Sequence, residues 1–331
     1  MQNLRRHANL IVRILISAAI LIYLGVKVDW KTLTQHVIGM DLLWLAAAFA
    51  CFGPMLGLCA WRWQILLRVQ GIFIPWWQSL QLGLVGHFFN SFLLGITGGD
   101  VVKIYYATLA APEKKAAAGL SVIVDRLYGL VVLLVIATIL CIAQFKFLTA
   151  RADTSASVYL TLTIAAATFA IGLISFRLAA ISDAVRKRGW WEKMPMHQMF
   201  DHLIEAYERY GSAWKENAAA FCISVCNHSF GMLLAYCIVK ALHLDVPFWQ
   251  FVSILPILNL LIALPISVGG LGVREGLSVI LFSLMGLSPE HAVTFALTFF
   301  TVTLAWSLVG SVFYMRYQTP ETEEKKEAVT V

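Results

Sequence analysis

Charge is what this chain has least of. Of 331 residues, 25 are Lys or Arg and 19 are Asp or Glu, 13% in all, against 60% hydrophobic residues. A soluble domain carries roughly twice that charge fraction. The deficit argues against a soluble enzyme, a nucleic-acid binder or a disulfide-stapled secreted domain, despite the net charge of +6. Cysteine is sparse too. Cys51, Cys59, Cys141, Cys222, Cys226 and Cys237 fall in apolar stretches without a CxxC pair, which suits packing rather than cross-linking. Cys222 and Cys226 share a helix face but have no His or further Cys beside them, a poor metal site. His197, His202 and Glu205 lack zinc-ligand spacing, and no GxxxxGK[ST] loop is present, so neither a metal, a cofactor nor ATP hydrolysis by this chain is expected.

What the sequence does hold is long uncharged runs. A bilayer crossing takes about 20 residues. Leu42 to Trp61, Thr154 to Phe176, Asn217 to Val239 and His291 to Met315 each read as one span. Ala116 to Ala143 reads as another, interrupted by the Asp125-Arg126 pair, and a mid-helix charge there costs about 2.5–3.5 kcal/mol. Ile14 to Val26, between Arg13 and Lys27, is the first span. It resembles a signal peptide with Arg5 and Arg6 before it, but no small-residue cleavage site follows near Val28-Asp29-Trp30, so a retained anchor is expected.

Two windows are too long for one span. Val69 to Gly99 and Val246 to Val273 each end in a glycine-rich break, Gly95-Ile96-Thr97-Gly98-Gly99 and Pro265-Ile266-Ser267-Val268-Gly269-Gly270-Leu271-Gly272, with short helices expected over Val102 to Ala111 and Val273 to Met285. Broken backbone at membrane depth is tolerated only under protein or beside a wet cavity, which points to re-entrant hairpins. With both windows re-entrant and the N-terminus cytoplasmic, 18 Lys and Arg fall inside. Arg62 and Arg68 count among them, and Lys27, Lys31, Lys146, Arg151 and Lys240 fall outside. The two hairpins then enter from opposite sides, and their sequences match weakly as Asn90-x7-Gly98-Gly99-x3-Lys103 and Asn259-x9-Gly269-Gly270-x3-Arg274. That is the pattern of inverted-repeat transporters. The expected fold is therefore an all-α polytopic membrane protein with six full transmembrane helices plus two re-entrant helical hairpins related as an inverted repeat.

A helix starting after Gly-Gly offers free N–H groups and a positive dipole end. Gly98, Gly99, Gly269 and Gly270 are thus candidate backbone anion sites, reinforced by Lys103 and Arg274 about one turn on. Arg126 joins them as a membrane cation. Asp100, Asp125 and Glu275 either pair with these cations or meet the cationic part of a zwitterionic substrate. Asn90 and Asn259 precede the breaks, where an amide satisfies broken backbone. His87 and His228 suit hydrogen-bonded packing better than proton relay. No catalytic residue is expected.

The organisation expected is one integral membrane domain over 1–318: a first half 1–176, a basic amphipathic connector 177–215 with Trp190-Trp191 on the inner leaflet, and a second half 216–318. A charged disordered tail follows over 319–331.

The chain resembles the transmembrane, flippase-like domain of the lysylphosphatidylglycerol synthase family. The resemblance runs from about Leu10 to Tyr317. Asn90 through Lys103, Ser121-Val122-Ile123-Val124-Asp125-Arg126-Leu127 and Leu264-Pro265-Ile266-Ser267-Val268-Gly269-Gly270-Leu271-Gly272-Val273-Arg274-Glu275-Gly276 carry it. It implies a bacterial inner-membrane protein handling aminoacylated phospholipid or polyprenyl-phosphate carriers. The Pro common before the first Gly pair is absent, and Lys103 stands where Arg is common. About fifteen residues follow the last span, so the soluble aminoacyl-transfer domain, and with it synthase activity, is not expected. The leading expectation is a flippase or transporter of an anionic or zwitterionic lipid. The alternatives are a non-transporting scaffold for a lipid-modifying enzyme and an intramembrane lipid-carrier transferase or phosphatase. Partners would be membrane lipids, a lipid-modifying enzyme or a second copy of the chain, and no nucleic acid.

Overall fold

The computed structural model describes residues 22–23, 26, 29–92, 98–186, 205, 208–264 and 270–316, and among these the chain is helical throughout, without strands. We number the main helices α1 (Trp30–Ile38), α2 (Leu42–Val69), α3 (Trp76–Phe92), α4 (Gly98–Ala110), α5 (Lys115–Ala143), α6 (Ala152–Arg186), α7 (Trp214–Ala241), α8 (Phe248–Ala263), α9 (Val273–Phe282) and α10 (Pro289–Arg316). The starts of α1 and α2 follow from local chemistry. The Asp29 carboxylate accepts the Lys31 N–H, and that of Asp41 accepts the Leu43 and Trp44 N–H groups, satisfying donors that a helix start leaves open.

Five helices are long and apolar enough to cross a membrane: α2, α5, α6, α7 and α10. They coincide with five of the six uncharged windows read as spans. The sixth window, Ile14 to Val26, lies almost wholly outside the described residues, as do the tail and the Trp190-Trp191 segment. α6 continues unbroken to Arg186, across the boundary expected at residue 176. α2 continues to Val69, so Arg62 and Arg68 are helical rather than in a loop.

Each of the two long windows holds two helices, and the residues between them in the expected glycine-rich breaks, 93–97 and 265–269, lie outside the described residues. α3 has 17 residues and α8 has 16, both short of a full crossing. The helix after the first break begins at Gly98, four residues earlier than expected, because Gly98 and Gly99 themselves form its first turn. The second begins at Val273 behind Gly272, with Gly270 and Gly272 at φ of +80°, where a side chain would be strained.

In each pair the two helices run antiparallel. A Cβ placed at Gly86 would lie 3.7 Å from Lys103 Cβ, and the Asn90 side chain meets Gly99, so α4 folds back along α3. In the second pair Gly270 faces Ile262, and Arg274 lines a cavity with Leu258 and Asn259.

The core lies on the α2, α7, α8, α9 and α10 side, where Phe251, Phe282 and Phe295 stack within 5.8 Å of one another and are essentially unexposed. α2 and α7 form the most extensive helix pair. α10 packs on both hairpins, touching α3 of the first and α9 of the second. At Gly310 its backbone meets that of α3, since a Cβ there would collide with the Leu84 carbonyl, and Trp77 against Phe313 and Phe89 against Tyr314 add side-chain contacts.

Candidate functional site

Adjacent residues on a helix point about 100° apart, so Asp125 and Arg126 cannot serve the same partner. Asp125 turns inward from α5, with 7% of its side chain exposed. Its Oδ1 accepts from Arg62 Nε of α2 at 2.8 Å, and its Oδ2 accepts from Lys103 Nζ of α4 at 3.2 Å. Arg62 and Lys103 are themselves 6% and 12% exposed. Arg62 Nη1 also donates to Ser224 Oγ of α7 at 2.8 Å. Lys103 Nζ stands 4.0 Å from the centre of the Trp63 ring, and the Trp63 indole N–H donates to Ser121 Oγ at 3.0 Å. One carboxylate and two cations thus join four helices.

Arg126 turns outward, half exposed, and holds Asp100 of α4 at 2.7 Å. Asn90 Oδ1 accepts the Gly99 N–H at 2.9 Å, taking one of the donors that the first turn of α4 leaves free. A Cβ at Gly99 would collide with the Gly86 carbonyl, so the backbone of α3 covers the same turn. At the expected backbone anion site over Gly98 and Gly99 the Gly99 N–H is thus already taken by Asn90, and the α3 backbone lies against the turn.

The second hairpin is built differently. Glu275 is 1% exposed, but its partner is the Gly272 N–H at the start of its own helix, which Oε2 accepts at 2.7 Å. This is the return contact of a capping box, with glycine at the cap position. Arg274 lies with its guanidinium carbon 5.4 Å from the centre of the Phe300 ring of α10. Its Nη1 is buried without a hydrogen-bond partner among the described residues. Arg274 and the exposed Asn259 line a cavity of about 20 Å³, closed on its far side by Gly231, Leu258, Ile262 and Phe299. That is room for about one water-sized group. Gly269 lies outside the described residues.

Of the residues expected to form a site, the structure gathers Asn90, Gly99, Asp100, Lys103, Asp125 and Arg126 around the first hairpin. It gathers Asn259, Gly270, Arg274 and Glu275 around the second. Arg62 was counted with the loop cations and is instead the closest partner of Asp125. Two signals pointed to it: it is flanked by Trp61 and Trp63 and followed by Ile65, Leu66 and Leu67, and a carboxylate in the middle of α5 requires a cation from another helix. With Arg62 and Lys103 both inside the bundle, 16 of the cations expected on the inner side remain against five expected outside.

His87 and His228 each place Nε2 against a backbone carbonyl, Thr303 at 3.3 Å and Gly129 at 2.9 Å, the contacts of packing histidines. Tyr210, from the expected connector, is buried and donates to the Leu66 carbonyl at 3.1 Å.

Five long apolar helices, two antiparallel broken pairs and ionic side chains inside the bundle define an integral membrane protein. The chain belongs to the family of the lysylphosphatidylglycerol synthase TM region, whose model matches residues 10–310. That model describes the membrane region, and the catalytic domain of the synthase is not part of it. No curated protein and no solved structure matches the chain.

Proposed function

We propose that this protein moves an anionic or zwitterionic lipid, of the aminoacylated phospholipid or polyprenyl-phosphate type, between the leaflets of a bacterial inner membrane. The observation that supports the reading is Arg274: a partly buried side chain at a helix start, lining a water-sized cavity, whose buried Nη1 has no hydrogen-bond partner among the described residues. Such a donor inside a membrane protein is suited to a phosphate or carboxylate that arrives and leaves. The first hairpin, with Lys103, Arg126, Asp100 and Asp125, supplies the opposite wall of the path; Asn90 steadies the start of α4, and Asn259 lines the cavity beside Arg274.

In this reading α3 with α4 and α8 with α9 are re-entrant from opposite faces and related as an inverted repeat. The five long helices and a span over Ile14 to Val26 cross fully, and both termini are cytoplasmic. The headgroup passes between the hairpins while the acyl chains stay in lipid. The partners are then membrane lipids, with a lipid-modifying enzyme or a second copy alongside.

The test is reconstitution into vesicles with fluorescent phosphatidylglycerol, lysylphosphatidylglycerol or a polyprenyl phosphate, measuring leaflet exchange by wild type and Arg274→Ala. Exchange by wild type that falls at least tenfold in the variant supports the reading. Absence of protein-dependent exchange with all three lipids overturns it, and turnover of a headgroup would identify an enzyme instead.

A further inference from the structure

Between Val131 and Ile139 of α5 and Leu162 and Gly172 of α6 the two helices leave a groove of about 710 Å³. That is the size of a ligand site. On its inner side Leu134 packs with Leu260 of α8 and with Ile164 and Ala165 of α6. Val131, Val135, Ile139 and Phe169 stand exposed along it, so among the described residues nothing covers them. Apart from Thr138 and Thr168 the lining is apolar, and the Thr138 hydroxyl donates to the Leu134 carbonyl of its own helix at 2.8 Å. We propose that this groove seats one acyl chain of an anionic phospholipid whose phosphate lies at Lys146. The site is separate from Arg274 and goes beyond the transport reading.

Length selects the occupant. At 1.5 Å per residue the groove extends about 12 Å along α5 and about 15 Å along α6. A hydrocarbon core is roughly 30 Å thick, so this is the depth of one leaflet, whereas a partner helix crossing the bilayer would use the whole. A stable protein interface engages about 20–30 residues a side. Eleven line the groove. Because α5 and α6 are both long and apolar enough to cross the membrane, an apolar opening between them at this depth meets lipid chains.

One end of the groove has the character of a headgroup region. Phe145, just past α5, and Tyr159 of α6 meet edge to face with ring centres 6.4 Å apart, and both are exposed. Tyr159 stands three residues before Leu162, and Phe145 six residues after Ile139, so the pair closes the groove toward the α5–α6 connection. Tyrosine is enriched at headgroup level, where its ring lies among the chains and its hydroxyl in water. Lys146 follows Phe145, exposed and without an ion pair among the described residues, whereas Arg151 is matched by Asp153. The connection over 144–151 and the start of α6 thus keep one uncompensated positive charge at this end. A phosphodiester beside Lys146, with its tail running inward past Phe145 and Tyr159, matches charge to charge and chain to groove.

The experiment uses the full chain in phosphatidylethanolamine vesicles holding phosphatidylglycerol with a photoreactive diazirine at mid-chain, followed by peptide mapping of the adducts. In wild type, labelling of residues 131–139 and 162–172 should exceed several-fold that of the comparably exposed Leu308 and Val312 of α10. Ala166→Trp, which fills the groove from an exposed position, should bring labelling down to the α10 level, and Val135→Trp on the opposite wall should do the same. Lys146→Glu should lower labelling by the phosphatidylglycerol probe more than by its phosphatidylcholine counterpart. Equal labelling of groove and α10, or labelling that survives both tryptophans, overturns the inference. An equal response of the two lipids to Lys146→Glu overturns the placing of the phosphate. Cross-links between two protein chains from a photoreactive residue at position 135 would seat a second copy there and also overturn it. Leaflet exchange is not the readout, so failure of the transport reading leaves this result standing, and failure here leaves transport untouched.

Discussion

The two broken helix pairs share a spacing, an asparagine before the break and a cation after it, yet they are electrostatic opposites. Around the first pair every charge is answered: Lys103 and Arg62 by Asp125, and Asp100 by Arg126. Around the second, Glu275 is turned back on its own helix and Arg274 keeps an open donor. Ion pairs that bind four helices together resist rearrangement, because separating them leaves charges buried and alone. An unpaired guanidinium carries no such penalty for changing partner. In the proposed function, the difference gives the first pair the part of an anchor and the second that of the exchanging site.

The largest effect expected is at the anchor. Asp125→Ala strands Arg62 and Lys103 inside the bundle, and breaking a buried pair in this way costs about 3–5 kcal/mol. Thermal unfolding in detergent should show it, and a loss below about 1 kcal/mol would dissolve the distinction drawn above.

Next comes the close approach of α3 and α4. Gly99→Ala drives a methyl into the Gly86 carbonyl, which cannot move aside, and such overpacking costs about 1–3 kcal/mol. The neighbour of Gly270 is instead the Cγ2 methyl of Ile262, at 2.7 Å, a side-chain rather than a backbone atom, so Gly270→Ala should cost less through contact and act mainly through its positive φ. Comparing the unfolding midpoints of the two variants ranks the rigidity of the two breaks.

Smaller still, Asn90→Ala removes the acceptor of the Gly99 N–H, worth about 1 kcal/mol, whereas Asn259→Ala removes no hydrogen bond to a described residue and should leave unfolding unchanged. Last in stability is Arg274→Ala, expected to shift unfolding by less than about 1 kcal/mol through its Phe300 contact while lipid exchange falls at least tenfold. A variant that unfolds early and exchanges normally would reverse the roles of the two pairs.

Much of this was legible from scarcity of charge. Where the chain runs uncharged for twenty residues beside a loop cation, a membrane span is the only economical structure, and five such windows became long apolar helices. Gly98-Gly99 and Gly269-Gly270 marked the breaks because two adjacent glycines are otherwise absent from the chain. Arg62 was legible only in part, because a charge at the edge of an apolar window looks like its end. Only the carboxylate of Asp125, 63 positions along the chain, makes the interior tolerable for it. The sequence left open which of Asp100, Lys103, Asp125 and Arg126 pair with one another; the structure sends Asp125 to Lys103 and Arg62, and Arg126 to Asp100. The self-capping of Glu275 was hidden because the motif Gly272-x-x-Glu275 lacks the hydroxyl residue that usually announces a capping box.

Gly310 sets how closely α10 lies on α3. There the backbone of α10 meets the Leu84 carbonyl with no room for a side chain, while Trp77 against Phe313, Phe89 against Tyr314 and His87 against the Thr303 carbonyl interlock the same two helices. α10 packs against α9 as well. It is a shared spine for the two helix pairs, and a larger residue at position 310 would wedge it away from Leu84 and disturb both at once.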